Sequence, residues 1–156
     1  MPNLSAAVKD FLAQERLAVA GVSRDGNLPA NLIFKKLRDG GYQVYPVNPN
    51  ASEVEGVECF PDLRSVPETI QGVVVATPPQ ATESVVQECI DLGIPRVWMH
   101  RSFGQGSVSE AAVELCRSEG ISVIPGACPM MYLEPVDLGH RCFRWVLGLT
   151  GKLPKP

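Results

Sequence analysis

Side chains that could bind an anion follow the first short apolar run of the chain, which extends from Leu17 to Gly21. In the loop from Val22 to Asn27, Ser23 offers a hydroxyl donor and Arg24 a guanidinium that pairs with phosphate. A tight turn between a strand and a helix also presents backbone N–H groups to an anion. The loop lacks the Lys-Ser/Thr of a P-loop and the GxGxxG of a dinucleotide-binding turn. A plain turn therefore stays open as the alternative.

Two further loops with unusual composition follow later apolar runs. Asn48-Pro49-Asn50 comes after Val47, where a NAD-binding fold usually carries an acid for the adenosine ribose. Asn48 can bond a ribose or an adenine edge but has no charge, which weakens a NAD interpretation and leaves a simple turn as the alternative. Thr77-Pro78-Pro79 is a stiff turn that fits both a wall beside a ligand and the start of a helix.

The remaining reactive side chains give no catalytic or metal-binding pattern. His100 follows an apolar run and can contact a phosphate, but no catalytic partner for it is visible in the sequence. His140 and Cys142 are two residues apart, so on a helix they point to different sides and make a poor metal pair. Cys128 is the best candidate for a reactive thiol, although a buried apolar role is favoured for it. We predict no catalytic residue and no metal ligand.

Hydrophobic periodicity places these loops between alternating strands and helices. The predicted strands cover residues 17–21, 42–47, 72–76, 95–99 and 121–124, and the predicted helices cover residues 4–12, 30–39, 82–92, 107–118 and 137–149. Ser107 and Glu110 fit a capping box for the fourth helix, and Asp137 caps the last one. Residues 54–68 are predicted to be a loop with a short turn of helix.

Strands that alternate with helices predict repeated βα units and a mostly parallel sheet. Right-handed crossovers then place helices on both faces of the sheet. We predict an α/β fold, a doubly wound Rossmann-type three-layer sandwich with five mainly parallel strands in the order 3-2-1-4-5. One domain is expected over residues 1–150, followed by a loose basic tail at residues 151–156. Ligands of such a sheet bind outside the carboxyl ends of its strands, where the loops described above meet.

Composition narrows the class of protein. The chain has 156 residues and a formal net charge of −3, which argues against binding to nucleic acid by bulk charge. No apolar run is long enough to cross a bilayer, so no membrane partner is expected. The start of the chain lacks the pattern of a signal peptide, and the five cysteines include no CxxC pair. Reduced thiols and a cytoplasmic location are the resulting expectation.

Four short segments stand out by their order and spacing: Gly21-Val22-Ser23-Arg24, Tyr45-Pro46-Val47-Asn48-Pro49, Ala76-Thr77-Pro78-Pro79 and Val97-Trp98-Met99. Together they resemble the small stand-alone CoA-binding domain proteins, which are similar to the CoA-binding domain of the succinyl-CoA synthetase alpha subunit. The resemblance covers residues 5 to 130, and Pro-Val-Asn-Pro is its most specific piece.

The resemblance implies CoA or an acyl-CoA lying across the ends of the strands. The first loop would bind phosphates, Asn48 and Pro49 would lie beside the adenosine, and the Thr77-Pro78-Pro79 turn would flank the pantetheine. The predicted binding residues are Gly21, Val22, Ser23, Arg24, Asn27, Asn48, Pro49, Asn50, Thr77, Pro78, Pro79, Met99 and His100. The chain lacks the Lys that follows Asn-Pro in the synthetase and the domain that carries its phosphohistidine, so ligation chemistry is not implied.

The leading hypothesis is therefore a module that binds CoA or an acyl-CoA without catalysis. A NAD(P)-dependent oxidoreductase or redox sensor is the second hypothesis. The third is a regulatory subunit with an empty cleft that binds protein through its C-terminal segment. The expected partner is a small nucleotide ligand, and a homodimer or a protein partner stays open.

Overall fold

The structure is a computed structural model that describes residues 4–151. The strands are β1 (Arg16–Ala20), β2 (Gln43–Val47), β3 (Glu53–Val54), β4 (Val57–Glu58), β5 (Gly72–Val75), β6 (Arg96–Met99) and β7 (Ser122–Pro125). The helices are α1 (Leu4–Leu12), α2 (Pro29–Asp39), α3 (Pro79–Leu92), α4 (Glu110–Ser118) and α5 (Leu138–Leu149), with a 3₁₀ turn at Pro129–Met131. Each predicted strand and helix is present, with ends that differ by up to three residues from the predictions.

Five strands form one parallel sheet in the order β2-β1-β5-β6-β7. The predicted class is confirmed, but the predicted order 3-2-1-4-5 is corrected, because the third long strand pairs with the first and not with the second. Numbered along the chain, the five strands lie in the order 2-1-3-4-5. Burial and chemistry explain the difference. β5 is buried at every residue and needs a neighbour on each side, whereas β2 contains Pro46, which cannot donate a hydrogen bond and suits an edge strand.

Helices cover both faces of the sheet, as predicted. On one face α1 and α2 pack on side chains such as Leu17, Val19 and Trp98. The rings of Trp98 and Phe11 meet edge to face, with their centroids 5.4 Å apart. On the other face α3 and α4 pack on the alternate side chains, among them Val73 and Val97. Strands that are apolar on both sides are typical of a parallel sheet between two helical layers.

Two local predictions are wrong. Residues 53–58 form a small antiparallel hairpin, β3–β4, where a turn of helix was predicted within residues 54–68. Ser107 does not cap α4, because the helix begins at Glu110 and Ser109 Oγ accepts the hydrogen bond from the Ala112 N–H. Ser107 is buried, its N–H donates to the His100 carbonyl in the same loop, and its carbonyl accepts from the Thr82 hydroxyl of α3.

The predictions for the end of the chain are confirmed in part. Asp137 caps α5 as predicted, and its carboxylate accepts a hydrogen bond from the His140 N–H at 3.0 Å. Of the predicted tail, Gly151 forms a turn after α5, and residues 152–156 lie outside the described residues. Within residues 4–151 no helix has the length and apolar character needed to span a bilayer.

Candidate functional site

The strand order creates a crevice between β1 and β5 at the carboxyl edge of the sheet. From β1 the chain crosses to β2 on one side, and from β5 it crosses to β6 on the other. The β1–α2 loop (residues 21–28) and the β5–α3 loop (residues 76–78) therefore diverge, and ligands of open α/β sheets bind where such loops diverge. The β2–β3 loop (residues 48–52) and the β6–α4 loop (residues 100–109) lie at the same edge.

Gly21 brings the first of these loops against its neighbours. Its N–H donates to the Val47 carbonyl at 2.9 Å, and its φ of +103° lies in the region that favours glycine. A Cβ at this position would be 2.5 Å from the Ala76 carbonyl oxygen. Only glycine therefore allows the β1–α2 and β5–α3 loops to approach this closely.

Asn31 of α2 holds the β1–α2 loop in place and was not predicted as a site residue. Its Oδ1 accepts from the Ser23 N–H at 3.0 Å, and its Nδ2 donates to the Ser23 carbonyl at 2.6 Å. The same Nδ2 donates to Glu55 Oε1 at 2.8 Å, which links the loop to the β3–β4 hairpin. Asn31 is fully buried. A polar residue beside the inward stripe of α2, which includes Ala30 and Ile33, was the sequence signal that could have identified it.

Asn48 also stabilises the loops, because both polar ends of its side chain form hydrogen bonds within the protein. Its Nδ2 donates to the Val22 carbonyl at 2.8 Å, and its Oδ1 accepts from the Asn50 N–H at 2.8 Å. The side chain thus joins the β2–β3 loop to the β1–α2 loop. Both of its polar ends already have partners within the protein, so a direct bond to a ribose would have to share one of them.

Other predicted residues are open to solvent at this edge. Those with exposed side chains are Arg24, Asn27, Pro49, Asn50 and Pro78. The ion pairs found within residues 4–151 include none to Arg24. An exposed guanidinium without a carboxylate partner is available to a phosphate.

The helices that follow the two central loops begin without side-chain caps. Leu28 and Pro78 occupy the cap positions of α2 and α3, and neither side chain accepts a hydrogen bond from the helix. By contrast, Ser109 and Asp137 cap α4 and α5. Pro29 and Pro79, the first residues of these helices, have no N–H, and the Asn31 and Ala81 N–H groups donate to the Leu28 and Pro78 carbonyls. These two helix starts therefore offer negative charge chiefly the positive end of the helix dipole.

The structure does not bring every predicted residue into the crevice. Met99 is fully buried and packs among the side chains between the sheet and the α3–α4 layer, so its side chain does not line the edge. Val22 is also fully buried. Thr77 and Pro79 are half-buried, and the Thr77 hydroxyl lies 3.3 Å from that of Thr82. Thr82 in turn donates to the Ser107 carbonyl at 2.7 Å, which joins α3 to the β6–α4 loop.

His100 is buried and neutral at pH 7. Burial lowers its pKa to about 4, with a smaller contribution from the nearby positive charge of His140. Its Nε2 lies 3.1 Å from Ser102 Oγ. A neutral, buried ring cannot attract phosphate by charge. Burial also raises the pKa of the Cys128 thiol, which disfavours the reactive thiolate. Within residues 4–151, no three His, Cys, Asp or Glu side chains converge to hold a metal ion.

We expect His100 to make the protein less stable in acid. The unfolded chain binds a proton at this ring near the ordinary pKa of 6.5, whereas the folded protein resists protonation until about pH 4. Stability therefore falls as pH is lowered through this window, by about 3 kcal/mol in total. Urea unfolding of the wild type and His100→Gln at pH 7.5 and pH 5 measures the effect. The variant should lose less stability between these pH values, and equal losses would contradict the prediction.

Comparisons with known proteins match most of the chain to one family model and to several relatives. A family model described as a CoA binding domain matches residues 15–134. The uncharacterized protein YneT of Bacillus subtilis is 30% identical over 130 residues, which cover 82% of this chain and 93% of YneT. The ADP-forming acetate–CoA ligase II of Archaeoglobus fulgidus is 30% identical over 89 residues, which cover 56% of this chain and 13% of the ligase.

A solved structure shares the fold. A hypothetical protein from Pyrococcus horikoshii OT3 superposes with a TM-score of 0.76 at 28% sequence identity. The match covers 83% of this chain and 89% of that protein. All four loops of the candidate site lie within the residues that the family model matches.

Proposed function

The chain belongs to the CoA-binding domain family, and we propose that it holds CoA or an acyl-CoA across the carboxyl ends of β1, β2, β5 and β6. In this proposal the protein is a single-domain binding module and catalyses no reaction of its own. Five free cysteines fit a reducing compartment, so we place the protein in the cytoplasm.

The observation that carries this proposal is the crevice between the β1–α2 and β5–α3 loops, with the exposed Arg24 at its edge. CoA carries a pyrophosphate and a ribose 3′-phosphate, and both need cationic or N–H donors. Arg24 supplies a cation, and the starts of α2 and α3 supply the positive ends of their helix dipoles. The buried, uncharged His100 and the protonated Cys128 thiol fit binding better than catalysis.

The ligase relative does not extend the proposal to ligation. The chain spans 13% of the length of the Archaeoglobus fulgidus ligase, so the activity of the whole ligase is not carried over. The match to YneT, of which the chain covers 93%, fits a small protein built around this domain.

Thermal unfolding with added nucleotides tests the proposed ligand. CoA at 100 times its Kd should stabilise the protein by roughly 2.7 kcal/mol, or about 5–10 °C for a chain of this size. NAD and NADP serve as the comparison, since a dinucleotide-binding oxidoreductase would respond to them and not to CoA. Native mass spectrometry of the freshly purified protein detects a retained ligand directly. No response to CoA in either measurement would overturn the proposal.

We expect Arg24→Gln to weaken CoA binding about tenfold, because it removes a charge-assisted contact to phosphate at an exposed position. The fold should be unaffected, since the Arg24 side chain is exposed. Arg117→Gln on α4 is the matched control, because Arg117 is exposed and pairs only with the neighbouring Glu114. Isothermal titration calorimetry of both variants measures the effect. Equal CoA affinities of Arg24→Gln and the wild type would place the phosphates elsewhere.

A further inference from the structure

Helix α5 is apolar on two opposite sides. Phe143 and Leu147 point inward and pack on the side of the molecule covered by α1 and α2. The opposite side carries apolar residues that are largely exposed. These are Leu138, Trp145, Val146 and Leu149, which are 75%, 68%, 47% and 68% exposed. A helix face that is apolar is normally covered, so the exposed side of α5 calls for an occupant.

The exposed side forms a continuous groove rather than scattered contacts. The groove has a volume of about 610 Å³. It is lined by Leu138, Arg141, Cys142, Arg144, Trp145, Gly148 and Leu149. All of these lie on α5, which follows the end of the family match at residue 134. The groove is therefore separate from the candidate CoA site.

We propose that a second copy of this chain covers the groove, with the two α5 helices packed antiparallel about a two-fold axis. A two-fold contact pairs the same surface of each copy, so the surface must complement itself. The spacing of the exposed residues meets this condition. With the axis between residues 143 and 144, Leu138 faces the second copy's Leu149, and Cys142 faces the second copy's Trp145.

The helix dipoles and the basic residues of α5 are compatible with this antiparallel arrangement. Antiparallel helices place opposite ends of their dipoles together. The two copies of Arg141 lie at levels five residues apart, about 7.5 Å along the helix. Arg141 of one copy lies closer in level to Arg144 of the other, but the Arg144 guanidinium turns back and donates to the Met131 carbonyl of its own copy at 3.1 Å.

The available area is sufficient for association. The four exposed apolar side chains present roughly 500 Å² in each copy, so pairing buries on the order of 1,000 Å² before flanking residues are counted, close to the lower limit for specific dimers. This small interface predicts a dimer that dissociates on dilution.

Light scattering after size exclusion, over about 1 to 200 µM protein, measures the dimer directly. The mass should rise from 16.9 kDa towards twice that value. Tryptophan emission should shift to the blue over the same range, because Trp145 becomes covered while Trp98 is already fully buried. A monomer at every concentration would overturn the proposal and leave the groove to a different partner.

Leu149→Glu should weaken self-association at least about tenfold, because it places a carboxylate in the apolar contact. Leu92→Glu is the matched control. Leu92 is the last residue of α3 and 44% exposed, as Leu149 is the last residue of α5, but it lies on the other face of the sheet. Circular dichroism confirms that both variants fold. If Leu149→Glu associates like the wild type, the dimer uses another surface and the proposal fails.

Discussion

Gly21→Ala is expected to lower the free energy of unfolding by about 3 kcal/mol. The substitution adds two costs. An alanine at a φ of +103° is strained by about 1 kcal/mol or more. Its Cβ would also lie 2.5 Å from the Ala76 carbonyl oxygen, which forces the β1–α2 and β5–α3 loops apart, at a typical cost of 1–3 kcal/mol.

Gly41→Ala separates these two costs. Gly41 has a φ of +91°, close to that of Gly21, but a Cβ added there meets nothing within 4 Å. This control should therefore lose only the strain, about 1 kcal/mol. Urea unfolding of both variants gives the difference, which reports the close approach of the two loops. Equal losses would show that the loops separate at no cost and that the crevice is not held at Gly21.

The same pair of variants connects stability with function. Because Gly21 sets the distance between the loops that flank the crevice, Gly21→Ala should also weaken CoA binding in the fraction that remains folded. Gly41 lies between α2 and β2, at the opposite edge of the sheet, and its substitution should leave CoA affinity unchanged. Calorimetric titration below the melting temperature of both variants measures this.

Asn31→Asp is expected to cost about 3–5 kcal/mol, although the two side chains have nearly the same shape. The Nδ2 of Asn31 donates to the Ser23 carbonyl and to Glu55 Oε1. A carboxylate oxygen in its place loses both hydrogen bonds and faces two oxygens at these distances. Since the position is fully buried, water cannot compensate for the loss.

The pH dependence of Asn31→Asp provides a second readout. Protonation of the new carboxyl removes its repulsion from Glu55 and supplies one donor. The difference in stability between the variant and the wild type should therefore shrink as pH falls from 7.5 to 5. Asn27→Asp is the control, because Asn27 is exposed, and it should change stability by less than about 0.5 kcal/mol. A loss that does not vary with pH would point to a packing effect instead.

Local pattern was enough to predict most of the secondary structure. β5 is a run of Gly and Val with no polar residue, and β6 ends in Val-Trp-Met. Each pattern predicts a buried strand, whatever the position of that strand in the sheet. Asp137 caps α5 as its sequence position indicates. Ser107 was the wrong cap because its N–H bonds to the His100 carbonyl. This contact depends on how the β6–α4 loop folds back, which no local pattern records.

Part of the candidate site was also predictable. Parallel strands place their carboxyl ends at one edge, so the loops after β1, β2, β5 and β6 had to meet there. The roles of individual residues could not be predicted as well from the sequence. Met99 alternates to the buried side of β6, and the polar atoms of Asn48 bond to Val22 and Asn50. Asn31 lay outside the predicted loops, yet it holds one of them.

The sequence by itself determined the fold class, the alternation of strands and helices, and the edge at which the four loops meet, because these depend on local periodicity and on the fixed direction of parallel strands. Only the tertiary structure decided that β5 lies beside β1, and therefore where at that edge the crevice opens. It also decided which polar side chains form hydrogen bonds within the protein and which side of α5 is exposed. These features depend on contacts between residues far apart in the chain, and such contacts leave no periodic signal in the sequence.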